Sequence, residues 1–319
     1  MAYKLDRKLV VGIASSALFD LGESDAIFRR DGEDAYRQFQ GRHLNTQLMP
    51  GIAFPFIRRL LSLNDLALDG ERLVEVIVLS RNDPDTGLRV MRSIASHGLG
   101  ISRAIFTQGQ APYRFMPSLN MSLFLSADEN SVYEAVAAGL PAGRVLSSSF
   151  VDDADDQELR IAFDFDGVLA DDKSERVFRD IGITGFRMFE ARNLATPHDA
   201  GPLRDFLRSI NQIQRREDER HREDPSYRNR VRVAIVTARD APTHERALVS
   251  LKAWGLRVND AFFLGGIDKG LITDVLRPHI YFDDQQVHLE RTSKVVPSVH
   301  VPFGIANAPR TTTGTDSDD

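Results

Sequence analysis

The sequence predicts an α/β protein of two tandem, duplicated, doubly wound domains, each with a long helical insert. Three observations support this prediction. Short apolar runs typical of buried strands alternate with longer segments of helical character, and Gly and Asp residues bound many of them. Strands that alternate with helices in this way favour a parallel sheet with helices on both faces. In addition, the second half of the chain repeats the residue pattern of the first half.

Composition narrows the class of protein. A length of 319 residues suits two domains, and a hydrophobic content of 42% supports real cores. The formal net charge of -6 argues against a broad nucleic-acid surface. The absence of cysteine excludes disulfides and thiolate metal sites. We see neither a signal-like start nor a long apolar run, so we expect a cytoplasmic protein without membrane contact.

The internal repeat has two parts that differ in offset. Segment 28–58 aligns with 178–208 without a gap, and 11 of the 31 positions are identical. Unrelated segments of ordinary composition would give about 2 matches. Segment 74–99 aligns with 231–256 at an offset that is seven residues larger. The polar stretch 214–229 accounts for the difference, and we expect it to be an exposed helix extension or loop.

Both halves are predicted to contain the same elements in the same order. Each opens with a strand, continues with a long, mainly helical segment, and then gives three further strands. The helix after the second strand is predicted to be capped by Thr86 in one half and by Thr243 in the other. The expected strands are 9–13, 74–79, 104–106 and 123–125 in the first half, and 160–163, 231–236, 261–264 and 280–282 in the second half.

These patterns divide the chain into two predicted domains, 1–151 and 152–310. The boundary is expected within the acidic stretch 152–158. A mainly helical insert is expected at about 171–230 of the second domain. The polar tail 311–319 carries no core signal, so we expect it to be disordered.

The candidate site residues follow the predicted strands of the second half. Asp164 and Asp166 are spaced i, i+2 at the end of an apolar strand, just before Gly167. In open α/β sheets, ligands bind at the carboxyl ends of strands. Two acids with a glycine that lets the chain turn suit a hard cation and a phosphate group. Further polar residues follow in order along the second half: Thr237, Lys269, and the pair Asp283 and Asp284.

The first half lacks these acids and the lysine. In the alignment, Asp164 and Asp166 correspond to Ala14 and Ser16, and Lys269 corresponds to Pro112. The acidic pair corresponds to Ser126 and Ala127, and a hydroxyl recurs at Ser80 and Thr237. A structural set of ion pairs would more often persist in both copies. We therefore predict one catalytic domain and one degenerate domain that lacks catalytic acids.

The four strand-end features, taken in order, resemble the motifs of the haloacid dehalogenase (HAD) superfamily of phosphatases. Those motifs are an Asp-x-Asp strand end, a Ser or Thr strand end, a Lys, and an acidic pair. More narrowly, the chain resembles the cytosolic 5′-nucleotidase I family. The segments that carry this resemblance are 50–64 (PGIAFPFIRRLLSLN), 79–91 (LSRNDPDTGLRVM) and 123–126 (LFLS). The resemblance implies HAD-like, Rossmannoid domains and a 5′-nucleotidase that acts on AMP, IMP or their deoxy forms.

The resemblance also implies roles for the acids. Asp164 would attack the phosphorus atom and form an aspartyl-phosphate. Asp166 would protonate the departing 5′ oxygen and then activate water. Mg²⁺ would be held by Asp164, by the main-chain carbonyl of Asp166 and by one of Asp283 and Asp284, with a preference for Asp284. The other acid of the pair would orient the lysine.

Further roles concern the bound phosphate. Thr237 and the main-chain N–H groups next to it, beginning with Ala238, would hold the phosphoryl oxygens. Lys269 would offset the repulsion between an anionic nucleophile and an anionic substrate. Each such repulsion costs about 4 kcal/mol at ~4 Å with an effective dielectric constant of ~20.

The resemblance implies that the insert 171–230 is a cap that covers the site and recognises the nucleoside. Phe186 and Phe189 are candidates for stacking on the base, although a simple role in the core is the stronger interpretation. The remaining expectation concerns four histidines without metal-ligand spacing, which are expected at the surface: His198, His221, His244 and His279.

Several alternatives stay open at this point. The enzyme could be a phosphatase or phosphotransferase for another small metabolite, or the chain could be a nucleotide-sensing regulatory protein. An effector nucleotide could bind the first half near Ser80, Arg81 and Asn82, and a homo-oligomer is a further expectation. The sequence does not predict how the two halves pack against each other.

Overall fold

The computed structural model describes residues 3–67 and 70–308. The tail 311–319, for which we predicted disorder, lies outside these ranges. Within them, no helix has both the length and the apolar character that a bilayer crossing would require.

The strands of the described residues form one ten-stranded sheet in the order β3-β2-β1-β4-β5-β10-β9-β6-β7-β8. All neighbours pair in parallel except β5 and β10, which are antiparallel. An α/β fold with a mainly parallel sheet is thus confirmed. The strands are β1 (Leu9–Ile13), β2 (Val74–Ser80), β3 (Arg103–Phe106), β4 (Leu123–Ser126), β5 (Ala142–Val145), β6 (Leu159–Phe163), β7 (Val231–Thr237), β8 (Asp260–Phe263), β9 (Ile280–Asp283) and β10 (Ser298–His300).

The two halves of the sheet have the same internal order and matching registers. In each half the first strand lies between the second and the fourth. Ile13 pairs with Val78 and Leu125, while Phe163 pairs with Ile235 and Phe282. These registers support the alignment of the strand ends, in which Ala14 corresponds to Asp164, Ser80 to Thr237, and Ser126 to Asp283.

The antiparallel pair β5–β10 sets how the halves meet. Because the other pairs are parallel, all strands of the second half run opposite to those of the first. The carboxyl ends of the two sets of strands therefore lie at opposite edges of the sheet. Four strands per half were predicted with nearly correct bounds, but the fifth strand of each half was missed.

Helices cover the faces of the sheet. Two of them, α2 and α6, occupy corresponding positions and are interrupted by a glycine with positive φ, Gly32 (φ 81) and Gly182 (φ 67). The described helices are α1 (Ser15–Leu18), α2 (Gly22–Arg42), α3 (Phe54–Ser62), α4 (Pro84–Ser96), α5 (Glu129–Ala137), α6 (Lys173–Arg192), α7 (Arg204–Glu223), α8 (His244–Ala253), α9 (Lys269–Leu276) and α10 (Gln286–Thr292), with short 3₁₀ segments at Leu63–Leu66, Pro112–Phe115, Pro117–Leu119 and Ile305–Asn307.

The largest apolar core draws residues from both halves of the chain. It includes inward-facing strand residues such as Val11, Val76 and Phe163, together with Phe56 of α3 and Phe206 of α7, all fully or almost fully buried. Two smaller clusters fill the opposite face, one in each half. The strand ends that carry the candidate site are thus fixed on a rigid frame.

Both capping predictions need correction. The side chain that caps α4 belongs to Asp83, which accepts hydrogen bonds from the N–H groups of Asp85 (2.9 Å) and Thr86 (3.0 Å). Thr243 does precede α8, but its hydroxyl donates to the carbonyl of Asp240 and makes no capping bond. At the N-cap position, a carboxylate oxygen accepts hydrogen bonds from the N–H groups of the first helical turn, which have no partner within the helix.

The polar stretch 214–229 is a helix extension followed by a loop, as predicted, but it is not exposed throughout. Gln214 and Glu217 are buried on the inner side of α7. Glu217 accepts hydrogen bonds from the N–H of Val231 (3.0 Å) and from the hydroxyl of Tyr227 (2.7 Å). These hydrogen bonds offset the cost of burying the glutamate, and they satisfy the main-chain N–H at the start of β7.

Candidate active site

Lys269 joins two of the predicted acids at the carboxyl end of the second-half sheet. Its Nζ atom lies 2.7 Å from Oδ2 of Asp164 and 2.7 Å from Oδ2 of Asp283. Asp164 directly follows β6, and Lys269 is the first residue of α9, where Asp268 caps the helix through the N–H of Gly270. All three charged side chains of the cluster are buried. Parallel strand ends meet at one edge, which explains why residues distant in sequence converge here.

Asp283 is saturated with donors. Besides Lys269, it accepts hydrogen bonds from the hydroxyl of Tyr281 and from the N–H of Gln285 (2.8 Å). Nδ1 of His288 lies 3.3 Å from its Oδ2. Burial opposes ionisation, but Lys269 and His288 hold the pKa of Asp283 below its usual range. Asp283 is therefore a fixed anion that holds the lysine.

Asp164 has fewer partners. Its Oδ1 accepts a hydrogen bond from the N–H of Phe165 (2.7 Å), and its Oδ2 contacts Lys269. Burial raises the pKa of Asp164 to about 6, with Lys269 opposing and Asp283 reinforcing the shift. Burial alone would favour a neutral lysine, but Asp164 and Asp283 raise the pKa of Lys269 above its usual range. The lysine therefore remains a cation in this pair of acids.

Asp284 presents a buried oxygen that nothing satisfies. Its side chain is 3% exposed, and its Oδ1 has no hydrogen-bond partner among the described residues. Burial first, and then the charges of Asp283 and Asp164, raise its pKa well above the usual range. Gly167, with φ 71, lies so close that an added Cβ would be 2.4 Å from Oδ2 of Asp284. An orphaned carboxylate oxygen in a cluster of acids is the chemistry expected of a cation site.

A second set of possible metal ligands overlaps with this cluster. Ligand atoms of Asp164, Asp283 and His288 lie within 4.8 Å of one another. Asp283 and His288, however, already contact each other, and Lys269 lies between Asp283 and Asp164. Asp284 therefore offers the freer oxygen of the acidic pair.

Asp166 is paired with Arg239. Its two carboxylate oxygens accept hydrogen bonds from Nε (2.7 Å) and Nη2 (2.6 Å) of Arg239. The guanidinium group of Arg239 also donates to Glu190 and to the carbonyl of Thr243. Its Nη2 atom lies 3.0 Å from Nε2 of His198. Asp166 thus occupies the same edge, but with its own counter-ion.

Thr237 and Ala238 end the neighbouring strand. Thr237 is buried, and its hydroxyl oxygen accepts a hydrogen bond from the N–H of Arg239 at 3.3 Å. Ala238 is exposed at the surface of the strand end. A buried hydroxyl beside an exposed main-chain turn can bind an oxyanion.

Phe186 and Phe189 both have an arginine over one face of the ring. The guanidinium carbon of Arg239 lies 5.5 Å from the centroid of Phe186, and that of Arg246 lies 5.3 Å from the centroid of Phe189. Phe186 is almost fully buried and also packs edge-on against Phe178. In this arrangement the two rings act as packing surfaces for the arginines.

The surface prediction is wrong for two of the four histidines. His198 is 4% exposed and His279 is 1% exposed. His198 is fixed by Ser250, whose hydroxyl lies 2.9 Å from Nδ1. His279 accepts a hydrogen bond from the N–H of Arg160 at 3.0 Å. In both residues a ring nitrogen takes part in a hydrogen bond with a neighbouring element of the fold. The spacing of histidines along the sequence does not predict such contacts.

Sequence reasoning missed three residues that contact the predicted acids, namely Tyr281, His288 and Arg239, and it missed Glu190, which contacts Arg239. Tyr281 precedes Asp283 by two positions on the same strand, so its side chain lies on the same face. Arg239 directly follows Thr237 and Ala238, the strand-end residues that were singled out. The repeats also differ in charge at one further position, where the second half has Glu190 and the first half has Gln40. This difference could have identified Glu190 as a residue specific to the second half.

The corresponding strand ends of the first half form a neutral network. Oγ of Ser15 lies 3.0 Å from Oγ of Ser80, which in turn donates to Oδ1 of Asn82 at 2.8 Å. The amide of Asn82 donates to the hydroxyl of Tyr36 at 3.1 Å. Hydroxyls and an amide thus take the place of the charged cluster.

Two comparisons with known proteins found similarity to 5′-nucleotidases. A family model described as 5′-nucleotidase matches residues 1–308. The chain is 30% identical over 292 residues to human cytosolic 5′-nucleotidase 1B, an alignment that covers 90% of this chain and 47% of the relative. The chain therefore spans about half the length of this curated relative. No solved structure gives a significant match. The family match covers nearly all of the chain, so the chain belongs to the 5′-nucleotidase family.

Proposed function

We propose that the protein is a 5′-nucleotidase that hydrolyses nucleoside 5′-monophosphates, of the AMP or IMP type or their deoxy forms, to nucleoside and phosphate. Membership of the family supports the reaction class. The observation that carries the proposal is the buried contact of Lys269 with both Asp164 and Asp283 at a strand-end edge. The name of the human relative supports a cytosolic location.

The proposal includes a duplicated HAD-like architecture. Segment 1–151 is the degenerate copy, segment 152–310 is the catalytic copy, and 171–230 is its cap insert. The equal strand orders and matching registers of the two halves support a duplication. The insert comprises α6 and α7, and α6 contacts the strand-end cluster through Glu190.

The chemical step begins at Asp164. A carboxylate oxygen of Asp164 forms a bond to phosphorus while the bond from phosphorus to the 5′ oxygen breaks, which gives an aspartyl-phosphate. Asp166 donates a proton to the leaving 5′ oxygen. Asp166 then takes a proton from the water that attacks the aspartyl-phosphate, so that phosphate is released and Asp164 is regenerated.

Lys269 and Thr237 reduce the cost of this step. Each repulsion between the anionic nucleophile and the anionic phosphate costs about 4 kcal/mol at ~4 Å with an effective dielectric constant of ~20. Lys269 offsets part of it, and Asp283 keeps the ammonium group in place. The Thr237 hydroxyl and the Ala238 N–H would donate hydrogen bonds to phosphoryl oxygens.

We further propose that Asp164, Asp284 and the main-chain carbonyl of Asp166 hold Mg²⁺. The unsatisfied Oδ1 of Asp284 and the oxygen-only donor set fit a hard cation. Asp283 is the weaker candidate because four donors already occupy it. When bound, the ion would supply positive charge that shields the nucleophile from the phosphate dianion.

A panel of monophosphates tests the function. Phosphate release is measured for AMP, IMP, their deoxy forms and several sugar phosphates, each with Mg²⁺ and with a chelator. Turnover confined to nucleotides and dependent on Mg²⁺ is the expected result. Turnover confined to sugar phosphates would assign another phosphatase, and nucleotide binding without turnover would indicate a sensor.

A further inference from the structure

Asp166 is one end of a buried chain of alternating charges. Arg239 contacts Asp166 at 2.6 Å, and Glu190 contacts both Arg239, at 2.5 Å, and Arg246, at 2.9 Å. The side chains of Arg239, Glu190 and Arg246 are at most 8% exposed. The chain of charges joins the end of β7 to α8 and to the insert helix α6. A charged pair buried this deeply is costly unless every partner is satisfied.

We propose that Arg239 and Glu190 are a positioning pair that orients the Asp166 carboxylate and makes that orientation depend on the insert helix α6. The proposal rests on the proposed function, in which Asp166 protonates the leaving oxygen. The fork of Arg239 donates to both oxygens of Asp166, so it fixes the rotation of the carboxylate as well as its position. When the carboxyl group carries the proton that it donates, the oxygen without the proton keeps its bond to Arg239. Glu190 in turn fixes the guanidinium group from the side of the insert.

A comparison with the first half distinguishes the positioning role of Glu190 from a role in helix packing. There, Gln40 corresponds to Glu190 and Arg89 corresponds to Arg246, and Nη1 of Arg89 donates to Oε1 of Gln40 at 3.0 Å. Arg89 also donates to the carbonyl of Thr46 at 3.1 Å. The same two bonds occur in the second half, from Arg246 to Glu190 (2.9 Å) and to the carbonyl of Thr196 (2.8 Å). A neutral glutamine therefore suffices to join these helices.

The charges of the pair disappear together with the acid that they would orient. Ser16 stands in the first half where the second half has Asp166, and Asn82 stands in place of Arg239. Glu190 is replaced by Gln40 in the same comparison. Three charged residues are thus replaced by neutral ones, while the arginine that joins the helices remains. The charged residues are therefore lost where the acid is lost, although the packing contact between the helices is kept.

Leaving-group dependence tests the positioning role. The nucleoside of a nucleotide substrate leaves as a poor alkoxide and needs the proton from Asp166, whereas the nitrophenolate of p-nitrophenyl phosphate needs little protonation. The kcat/KM value reports the steps up to leaving-group departure. We expect R239K to lower kcat/KM at least 30-fold for the nucleotide and less than about threefold for p-nitrophenyl phosphate, on the scale of about 10²–10⁴ for general acid catalysis. E190Q, which copies the first half, should lower the nucleotide value about tenfold.

A double-mutant cycle tests whether the pair acts through Asp166. In a D166N background, R239K and E190Q should each change kcat/KM for the nucleotide by less than about twofold, since the group that they position is already lost. E175Q makes the same chemical change at a surface ion pair of α6 with Arg179 and serves as the matched control. Melting temperatures show which variants fold.

The outcomes separate the two proposals. Equal losses on both substrates, or losses that add fully to that of D166N, would overturn the positioning role while leaving the nucleotidase assignment intact. If R239K does not fold, E190Q decides the question, because glutamine is accommodated at the corresponding place in the first half. If the wild-type protein releases no phosphate from nucleotides, the proposed function fails and the inference fails with it.

Discussion

The ammonium group of Lys269 lies 2.7 Å from the carboxylate of Asp164, and the two side chains are only 1% and 4% exposed. A buried carboxylate and a buried ammonium group in contact stabilise each other, and in the proposed mechanism the same contact also supports the chemical step. The contact therefore predicts linked effects on folding and on catalysis.

Replacing Lys269 with Gln should impair both properties. Asp164 and Asp283 would remain buried without their shared cation, and breaking a buried ion pair from one side costs about 3–5 kcal/mol. We expect a loss of that size in urea unfolding with a chelator present, together with a fall in kcat/KM of at least about 100-fold. K173Q removes a surface lysine paired with Asp171 and Asp199 and should change neither property appreciably. Unaltered turnover in K269Q would contradict the proposed site.

Thr237 and Ser80 occupy corresponding strand ends, so their variants form a matched pair. T237A should lower kcat/KM about 100-fold, because one oxyanion donor is typically worth about 10²–10³. S80A removes a hydroxyl from the neutral network of the first half and should leave nucleotide turnover unchanged. Phosphate release from AMP measures both, and equal effects of the two variants would show that the halves are not divided as proposed.

Gly167 should be intolerant of alanine for a reason beyond its backbone conformation. An added Cβ would meet Oδ2 of Asp284 at 2.4 Å, whereas Gly255, with a similar positive φ (67 against 71), has no atom within 4 Å. Both substitutions carry a backbone cost of about 1 kcal/mol. Only G167A should also raise the Mg²⁺ concentration needed for half-maximal activity, by at least about tenfold. A G167A enzyme with normal Mg²⁺ dependence would count against Asp284 as a ligand.

His279 should make stability depend on pH. Burial first, and then the nearby Arg59 and Arg160, lower the pKa of His279 to about 3. In the unfolded chain the histidine has a pKa near 6.5, so the unfolded state binds more protons between pH 6.5 and 3. The stabilisation is complete above pH 6.5 and falls by about 2–3 kcal/mol by pH 4.5.

Urea unfolding at pH 7 and pH 4.5 measures this loss. H279N keeps a neutral acceptor for the N–H of Arg160 but cannot titrate, so the difference in stability between the two pH values should be smaller in this variant. An equal difference in the variant and the wild-type protein would show that other groups cause the pH dependence.

The strands were predictable because burial on both faces of a parallel sheet requires apolar runs, such as Leu9–Ile13. The fifth strand of each half was not predictable, since Ala142–Val145 and Ser298–His300 are short and contain Arg144 and His300. Those two strands form the antiparallel junction between the halves. Sequence pattern therefore predicted each half but not their opposite orientation.

The identities of the candidate residues were predictable, but their pairings were not. Spacing cannot distinguish Asp283 from Asp284, because neighbouring residues at a strand end differ only in the direction of the side chain. The structure shows the difference through the donors around Asp283 and the unsatisfied oxygen of Asp284. The contact of Asp166 with Arg239 joins the ends of the neighbouring strands β6 and β7 across 73 residues of sequence, which local sequence does not encode.

The most direct test of the central claim is rapid acid quenching of the enzyme mixed with 5′-phosphate-labelled AMP and Mg²⁺, followed by peptide mapping of the label. We expect label on the peptide that contains Asp164 in the wild-type protein, and none in D164N. Full nucleotide turnover by D164N, or label on any other residue, would contradict the proposed mechanism.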